Sequence, residues 1–324
     1  DIRTYGDKST VKPLAGQLTG FYGTDGSSIS AAYALIDGTG NVAPLADTTK
    51  AGSYASTVTG IASSVPGLAA NYTIDHAAST QGTVPVRPAA LTYTIAAATG
   101  VYGSAAAAGA MSDTAMSGFV NGEFAVVVPG VTDLAGKAVP ATVMPINQGG
   151  AAIVPAGTQA GVYRITATGF DAAGTGFDPA NYTITGSPAL LTIAQKPITY
   201  AIADTTSVYG TLATPAVTLN GLFGSDNVST ALTVTKPGFG AITLAARTPA
   251  GAYGLTASGL SGTAAANYPL DTANSTSGTL TVQPKPITAL VADSTRVYGE
   301  LPLSPQATLN GILPGDAVAA TAIE

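Results

Sequence analysis

The stretch Leu191-Thr-Ile-Ala-Gln-Lys-Pro-Ile-Thr-Tyr-Ala-Ile-Ala-Asp-Thr-Thr-Ser-Val-Tyr-Gly210 returns, little altered, as Leu280-Thr-Val-Gln-Pro-Lys-Pro-Ile-Thr-Ala-Leu-Val-Ala-Asp-Ser-Thr-Arg-Val-Tyr-Gly299. A chain that repeats itself at this scale is built from similar units set in a row. Each copy reads as an apolar run, a proline hinge and a second apolar run, hence as the last strand of one module, a linker and the first strand of the next. The expected modules are 1–87, which lacks its opening strand, 88–194, 195–283 and a partial fourth at 284–324. Cysteine is absent, so disulfides, thiol nucleophiles and zinc clusters drop out and each core must hold by packing. Modules of this length bury well over half of their unfolded surface and need no staples.

Four landmarks recur in the same order. The first is Tyr5-Gly6, Tyr102-Gly103, Tyr209-Gly210 and Tyr298-Gly299. A glycine after an aromatic in a strand marks a bend with positive φ or a close backbone approach, with the ring buried. The second is a turn ending in an acid: Gly20 to Asp25, Gly118 to Glu123, Gly221 to Asp226 and Gly311 to Asp316. One carboxylate per module is too few for calcium, which takes six to eight oxygens, so these acids are expected to cap their turns. The third is Ala-Gly-x-Tyr before an alternating run, at Tyr54, Tyr163 and Tyr253. This pattern resembles the tyrosine corner of immunoglobulin-like sandwiches, and predicts mostly buried rings with hydroxyls bonded to nearby backbone. The cysteine that antibody domains carry after that corner would fall at Ser56, Ile165 and Leu255, and is missing. The fourth is Asn71-Tyr72, Asn181-Tyr182 and Asn267-Tyr268, before a last strand. The predicted fold class is therefore all-β, tandem immunoglobulin-like β-sandwich modules in an extended array.

Module two departs twice. Gly103 to Gly118 is alanine-rich and helical by propensity, but it occupies the place of a Pro-containing stretch in module three, so repeat logic assigns it to strand and turn. Its turn-to-corner span, Gly118 to Gly161, exceeds Gly20 to Gly52 and Gly221 to Gly251, which places an insertion within Val131 to Gln159. A private binding function would most easily sit in that insertion.

Chemistry is scarce. The lone histidine, His76, has no counterpart in the later modules and reads as a solvated loop residue rather than part of a triad. Asp204 and Asp293 recur before Tyr-Gly as turn residues, not as a convergent pair for glycoside chemistry. No phosphate-binding glycine loop occurs. The recurring lysines, Lys196 and Lys285, lie in linkers, poorly placed for an intramolecular Lys–Asn bond. Catalytic, cofactor and metal sites are all expected to be absent. The residues singled out, Tyr5, Gly6, Tyr54, Tyr102, Gly103, Tyr163, Tyr209, Gly210, Tyr253, Tyr298 and Gly299, are structural. With 12 Lys and Arg spread thinly and a net charge of −6, no basic run suits a nucleic acid. No apolar run reaches the ~20 residues of a transmembrane helix.

The ordered set Lys-Pro-Ile-Thr, Val-Tyr-Gly, Gly-x-x-x-Gly-Asp, Ala-Gly-x-Tyr, Ala-Asn-Tyr and Gly-Thr-Leu-Thr-Val resembles the MBG and YDG repeat domains of large bacterial surface proteins. Tyr209-Gly210, Tyr298-Gly299, Gly315-Asp316 and Asn267-Tyr268 carry the likeness, and Glu123 departs from it. The resemblance implies an exported, haemagglutinin-like adhesin at the bacterial cell surface, in which such modules form a stalk; it carries no catalytic residues. The alternative expectation is a carbohydrate- or cell-binding module acting through the module-two insertion, with a surface glycan as partner. The short linkers at Arg87-Pro88, Lys196-Pro197 and Lys285-Pro286 predict a stiff rod on the order of 120 Å for three modules. Only 9% of residues are charged, against roughly 25% in ordinary domains, and Ala241 to Ala246 has none. Edges so poorly guarded, together with a first module lacking its opening strand and a last one ending mid-sandwich at Glu324, lead to the expectation that the polypeptide continues in both directions and packs laterally with other copies in a fibre.

Overall fold

The computed structural model describes residues 2–8, 18–44, 46–110, 114–144, 150–172, 174–293, 295–300 and 307–320. Among them the regular structure is β-strand, joined by turns and short 3-10 segments. The chain forms two compact units, Asp1–Ala194 and Gln195–Glu324.

The second unit shows the plan most completely. Thr199–Ile202 pairs antiparallel with Val217–Asn220, and Ile198 and Ala201 form parallel bridges to Leu270 and Thr276 on their other side. The facing sheet runs Thr205–Val208, Gly278–Gln283, Gly251–Ser261, Ser229–Lys236, Gly240–Ile242. Its first pair is parallel and the rest are antiparallel. The opening segment thus begins in one sheet and ends in the other, beside the module's last strand. With the tyrosine corner described below, this is an immunoglobulin-like sandwich. Period-two patterning makes the core: in Gly278–Gln283 the residues Leu280 and Val282 are buried while the threonines face water. They meet Tyr200, Ile202, Val234, Tyr253 and Leu255 between the sheets.

The first unit holds two groups of strands. Arg3–Thr4 lies parallel to Gly82–Arg87 at one edge of a five-stranded sheet that continues through Gly52–Ser63, Ile29–Ile36 and Val42–Ala43. From Ala89 onward, Ala89–Ile95 pairs with Thr114–Ser117 and, in parallel, with Tyr182–Ser187. Ala98–Val101 runs parallel to Ala189–Ala194 in the facing sheet.

The alanine-rich segment contains the strands Ala106–Ala108 and Thr114–Ser117, and no helix among its described residues. Part of the expected insertion is strand as well: Thr142–Val143 and Ala152–Val154 form a three-stranded sheet with Ala106–Ala108. Ala108, Ala152 and Val154 are fully buried there. Small side chains allow this close packing, so part of the extra sequence closes the core.

Candidate functional site: the joint between modules

Three of the four Gly-to-acid turns are held by the tyrosine of the Asn-Tyr pair that follows in the same module. Tyr72 donates to Asp25 Oδ2 at 2.6 Å, Tyr182 to Glu123 Oε2 at 2.7 Å, and Tyr268 to Asp226 Oδ2. The same phenol oxygen accepts the backbone N–H two residues after the turn glycine: Tyr22 at 3.2 Å, Val120 at 3.2 Å and Phe223 at 2.9 Å. This corrects the sequence expectation for the acids. Their carboxylates act as acceptors for phenols, because the short 3-10 segment that ends on the asparagine of each Asn-Tyr pair delivers the tyrosine hydroxyl to the turn.

Two of the acids take a tyrosine from the preceding module, Glu123 in addition to Tyr182 and Asp316 with no other tyrosine among the described residues. Tyr5 donates to Glu123 Oε1, and Tyr209 donates to Asp316 Oδ1 at 3.1 Å. The glycine beside each donor rests on the side chain two residues after the acceptor's turn glycine. A Cβ on Gly6 would lie 2.5 Å from Val120 Cβ, and one on Gly210 would lie 2.8 Å from Leu313 Cδ1. Both glycines have positive φ, +82° and +96°, so a side chain is disfavoured by backbone as well as by space.

Further bonds reinforce each joint. Asn121 Nδ2 donates to the Asp47 carbonyl at 3.0 Å, and the Ala51 N–H donates to Asn181 Oδ1 at 2.9 Å. Lys50 pairs with Asp178 at 3.0 Å. In the second unit Arg247 bonds both Asp316, at 3.2 Å, and the Pro314 carbonyl. A groove of about 330 Å³ opens beside it, lined by Tyr209, Pro249, Lys285, Ile287 and Leu313 among others.

The first joint is also hydrophobic. Tyr5 is 5% exposed and belongs to a cluster otherwise made of residues from 89 onward, namely Ala89, Leu91, Ala125, Phe177 and Tyr182. It meets the edge of Tyr182 with centroids 5.5 Å apart and planes at 81°, the favourable T-shaped geometry. Burial, and then the bond to Glu123, pushes the phenols of Tyr5 and Tyr182 above the ordinary tyrosine range. Tyr209 is raised by burial and then by Asp316, with Arg247 opposing. The Lys50 ammonium holds the Asp178 carboxyl below its usual range, helped by the Ala180 N–H.

The remaining expected residues fall as follows. Tyr54 donates to the Lys50 carbonyl at 2.9 Å, Tyr163 to Gln159 at 2.7 Å and Tyr253 to Pro249 at 2.7 Å, each reaching back four residues. Tyr54 and Tyr253 are buried and Tyr163 is half-buried. Tyr163 pairs with Leu191 in a sheet where the flanking Val162 and Leu190 are themselves exposed. Tyr102 is buried and Gly103 has φ +86°. Tyr298 is fully exposed, contrary to the expectation of a buried ring. Among the described residues no following module covers it, while Gly299 keeps φ +96°. His76 is exposed, and Asp204 accepts the Thr279 N–H at 2.7 Å, tying the opening segment to the last strand. Among the described residues no group of three metal-ligating side chains occurs, and no helix is long and apolar enough to cross a membrane. The joint itself escaped the sequence reading, although co-occurrence of Tyr-Gly with the acid turn in the next repeat was a visible signal.

No protein-family model and no curated protein sequence matches the chain. Among solved structures, the I9-I11 tandem of titin aligns over 79% of this chain and 90% of its own at 12% identity and a TM-score of 0.25. The N-terminal four Ig domains of Dscam1 isoform 9.44 align over 88% and 70% at 12% identity and TM-score 0.28. The human desmocollin-1 ectodomain aligns over 87% and 60% at 8% identity and TM-score 0.26. At such identities and scores the fold assignment rests on this chain's own strand pairing.

Proposed function

We propose that the chain is a structural repeat region of an extracellular bacterial adhesin, a stalk or fibre-forming segment of the MBG and YDG kind, with modules at 1–87, 88–194, 195–283 and 284–324. The observation that carries the reading is the joint. Tyr5-Gly6 on the Glu123 turn and Tyr209-Gly210 on the Asp316 turn use the same parts in the same roles. A repeated, hydrogen-bonded, partly apolar contact between consecutive modules resists bending, which is the property a stalk requires. Freely jointed binding domains need no such contact.

The role is mechanical and its partners are neighbouring modules and lateral copies of the chain. It needs no cofactor and no catalysis. The test is a glycan array and a host-cell binding assay with the whole chain at about 100 μM, where even a weak site with a Kd near 1 mM would be about a tenth occupied. The structural reading expects no retained ligand. A glycan held with micromolar Kd, and lost when the exposed residues Leu134 and Val143 are changed to serine, would instead make this a binding module acting through the insertion.

A further inference from the structure

Module three has both its opening and its closing strands in place, yet its two sheets are unequal, five strands facing two. In the smaller sheet Val217–Asn220 is an edge, and its free side follows from the ladder. Ile202 donates to Thr276 and Thr276 to Tyr200, each at 2.9 Å, which turns the backbone of Tyr200 and Ile202 away from Val217–Asn220 and that of Ala201 toward it. Ala201 lies opposite Thr218, so those two exchange bonds, while Val217 and Leu219 present N–H and C=O outward. Among the described residues no strand takes them up. The usual guards of an edge are missing as well: the strand holds no lysine, proline or bulge, and no charge occurs from 205 to 225.

Beside this edge a groove of about 410 Å³ opens between the sheets, walled by Leu219, Leu222, Val228 and Thr230 among others. Module two shows what such a place takes. Counted from the turn glycine and the acid, the counterparts of Leu219, Leu222 and Val228 are Met116, Phe119 and Ala125, and these gather with Phe177 in one apolar cluster. Phe177 meets Phe119 with ring centroids 5.8 Å apart. It comes from the stretch between Asp171 and Asn181; the matching stretch of module three, between Ser261 and Asn267, is shorter and has no aromatic residue.

We propose that Val217–Asn220 pairs antiparallel with the same strand of a second copy, about a two-fold axis at Thr218. The inference rests on the structural reading and names the surface through which lateral copies meet. Its register is dictated by the backbone. In a pair centred on Thr218, Val217 of one copy lies opposite Leu219 of the other, and these outward-facing residues exchange both backbone bonds. The side chains of Val217 and Leu219 lie on the core face, so each copy brings to the other's groove the apolar groups that Phe177 supplies in module two. Thr218 is exposed and meets Thr218 of the other copy on the solvent face, a favourable cross-strand pair. A second copy is the occupant because it offers an uncharged strand, already extended, with the same free backbone, and docking it costs little ordering. The contact uses one patch on both copies and therefore closes as a dimer.

Sedimentation of the whole chain from about 10 μM to about 1 mM tests this, since so short a strand pair is a small interface that associates weakly. The wild-type chain is expected to approach twice the monomer mass at the upper end. Thr218→Lys and Thr218→Asp, each at an exposed position, are each expected to weaken association by about fivefold, because the axis sets like charges opposite one another. Mixed in equal amounts they should associate at least as well as the wild type, since lysine then faces aspartate; that recovery also requires both variants to be folded. A wild-type chain that stays monomeric across the range overturns the proposal and leaves the internal joints, on which the stalk reading rests, untouched. Association of Thr218→Lys to the wild-type extent, or no recovery in the mixture, overturns it too, since copies would then be meeting through another surface or register.

Discussion

Tyr5-Gly6 and Tyr298-Gly299 are the same dipeptide in nearly the same backbone conformation, with glycine φ of +82° and +96°. Their surroundings are opposite. Tyr5 is 5% exposed and bonded to Glu123, whereas Tyr298 is fully exposed. The turn is therefore a local property, set by a glycine that tolerates positive φ. Burial of the tyrosine is not local. For Tyr5 it depends on distant residues that bring a carboxylate and an apolar shelf within reach, Glu123 and Val120. The motif is half of a joint, stable as a turn whether or not its other half is present.

Breaking the comparison takes a substitution that treats the two sites alike, and the largest expected contrast is at the glycines. Gly6→Val incurs both left-handed backbone strain and overlap with Val120, and is expected to lower the unfolding free energy by about 2–4 kcal/mol. Gly299→Val meets no neighbour among the described residues and costs only the backbone term, about 1–2 kcal/mol. Urea titration of the two variants measures the difference, and equal losses would mean that the close approach contributes nothing.

Glu123→Ala comes next. It removes the acceptor for Tyr5 and Tyr182 at once, two partly buried hydroxyls, and is expected to cost about 2–3 kcal/mol. Tyr298→Ala removes no contact between described residues and should stay within about 0.5 kcal/mol. Denaturant midpoints decide between the two.

Alkaline titration sharpens the same contrast at smaller effect. The Tyr5 and Tyr182 phenols are raised above the ordinary value, so the folded state holds their protons more tightly than the unfolded chain does. Their contribution is fully present below about pH 10, the unfolded tyrosine value, and is lost as pH rises from there through the folded values. Thermal melts of the wild type should show that decline beginning near pH 10, and Glu123→Ala should flatten it. A decline equally steep in the variant would detach the phenols from the carboxylate.

The smallest effect belongs to Lys50→Ala. Its partner Asp178 lies across the joint, but the two side chains are 70% and 35% exposed. Solvent screening leaves such a pair worth no more than about 0.5 kcal/mol. A loss above 1 kcal/mol, or a marked salt dependence of the midpoint, would show that charge rather than packing holds this joint.

Much of the architecture was legible because it rests on local rules. Repetition of Lys196 to Gly210 as Lys285 to Gly299 marks units in a row whatever their fold. Alternation in Gly278–Gln283 can bury Leu280 and Val282 only as a strand. The corner tyrosines reach a carbonyl four residues back, a distance the local chain sets. Repeat position also overrode the helical propensity of the alanine-rich segment, since packing against Ala152 and Val154 outweighs the few tenths of a kcal/mol per residue that propensity supplies.

The roles of the acids were not legible, because hydrogen bonds between residues far apart in sequence leave no local pattern. Asp25, alone in its turn, looks like a cap; only the fold carries Tyr72 to it, and only a neighbouring module brings Tyr5 to Glu123. What the sequence by itself determined is the succession of strands and positive-φ turns, since backbone sterics and period-two burial act over a few residues. Which tyrosines are buried, and which carboxylate each one meets, was decided by tertiary structure, because burial and pairing depend on surfaces that come together only after the modules have formed.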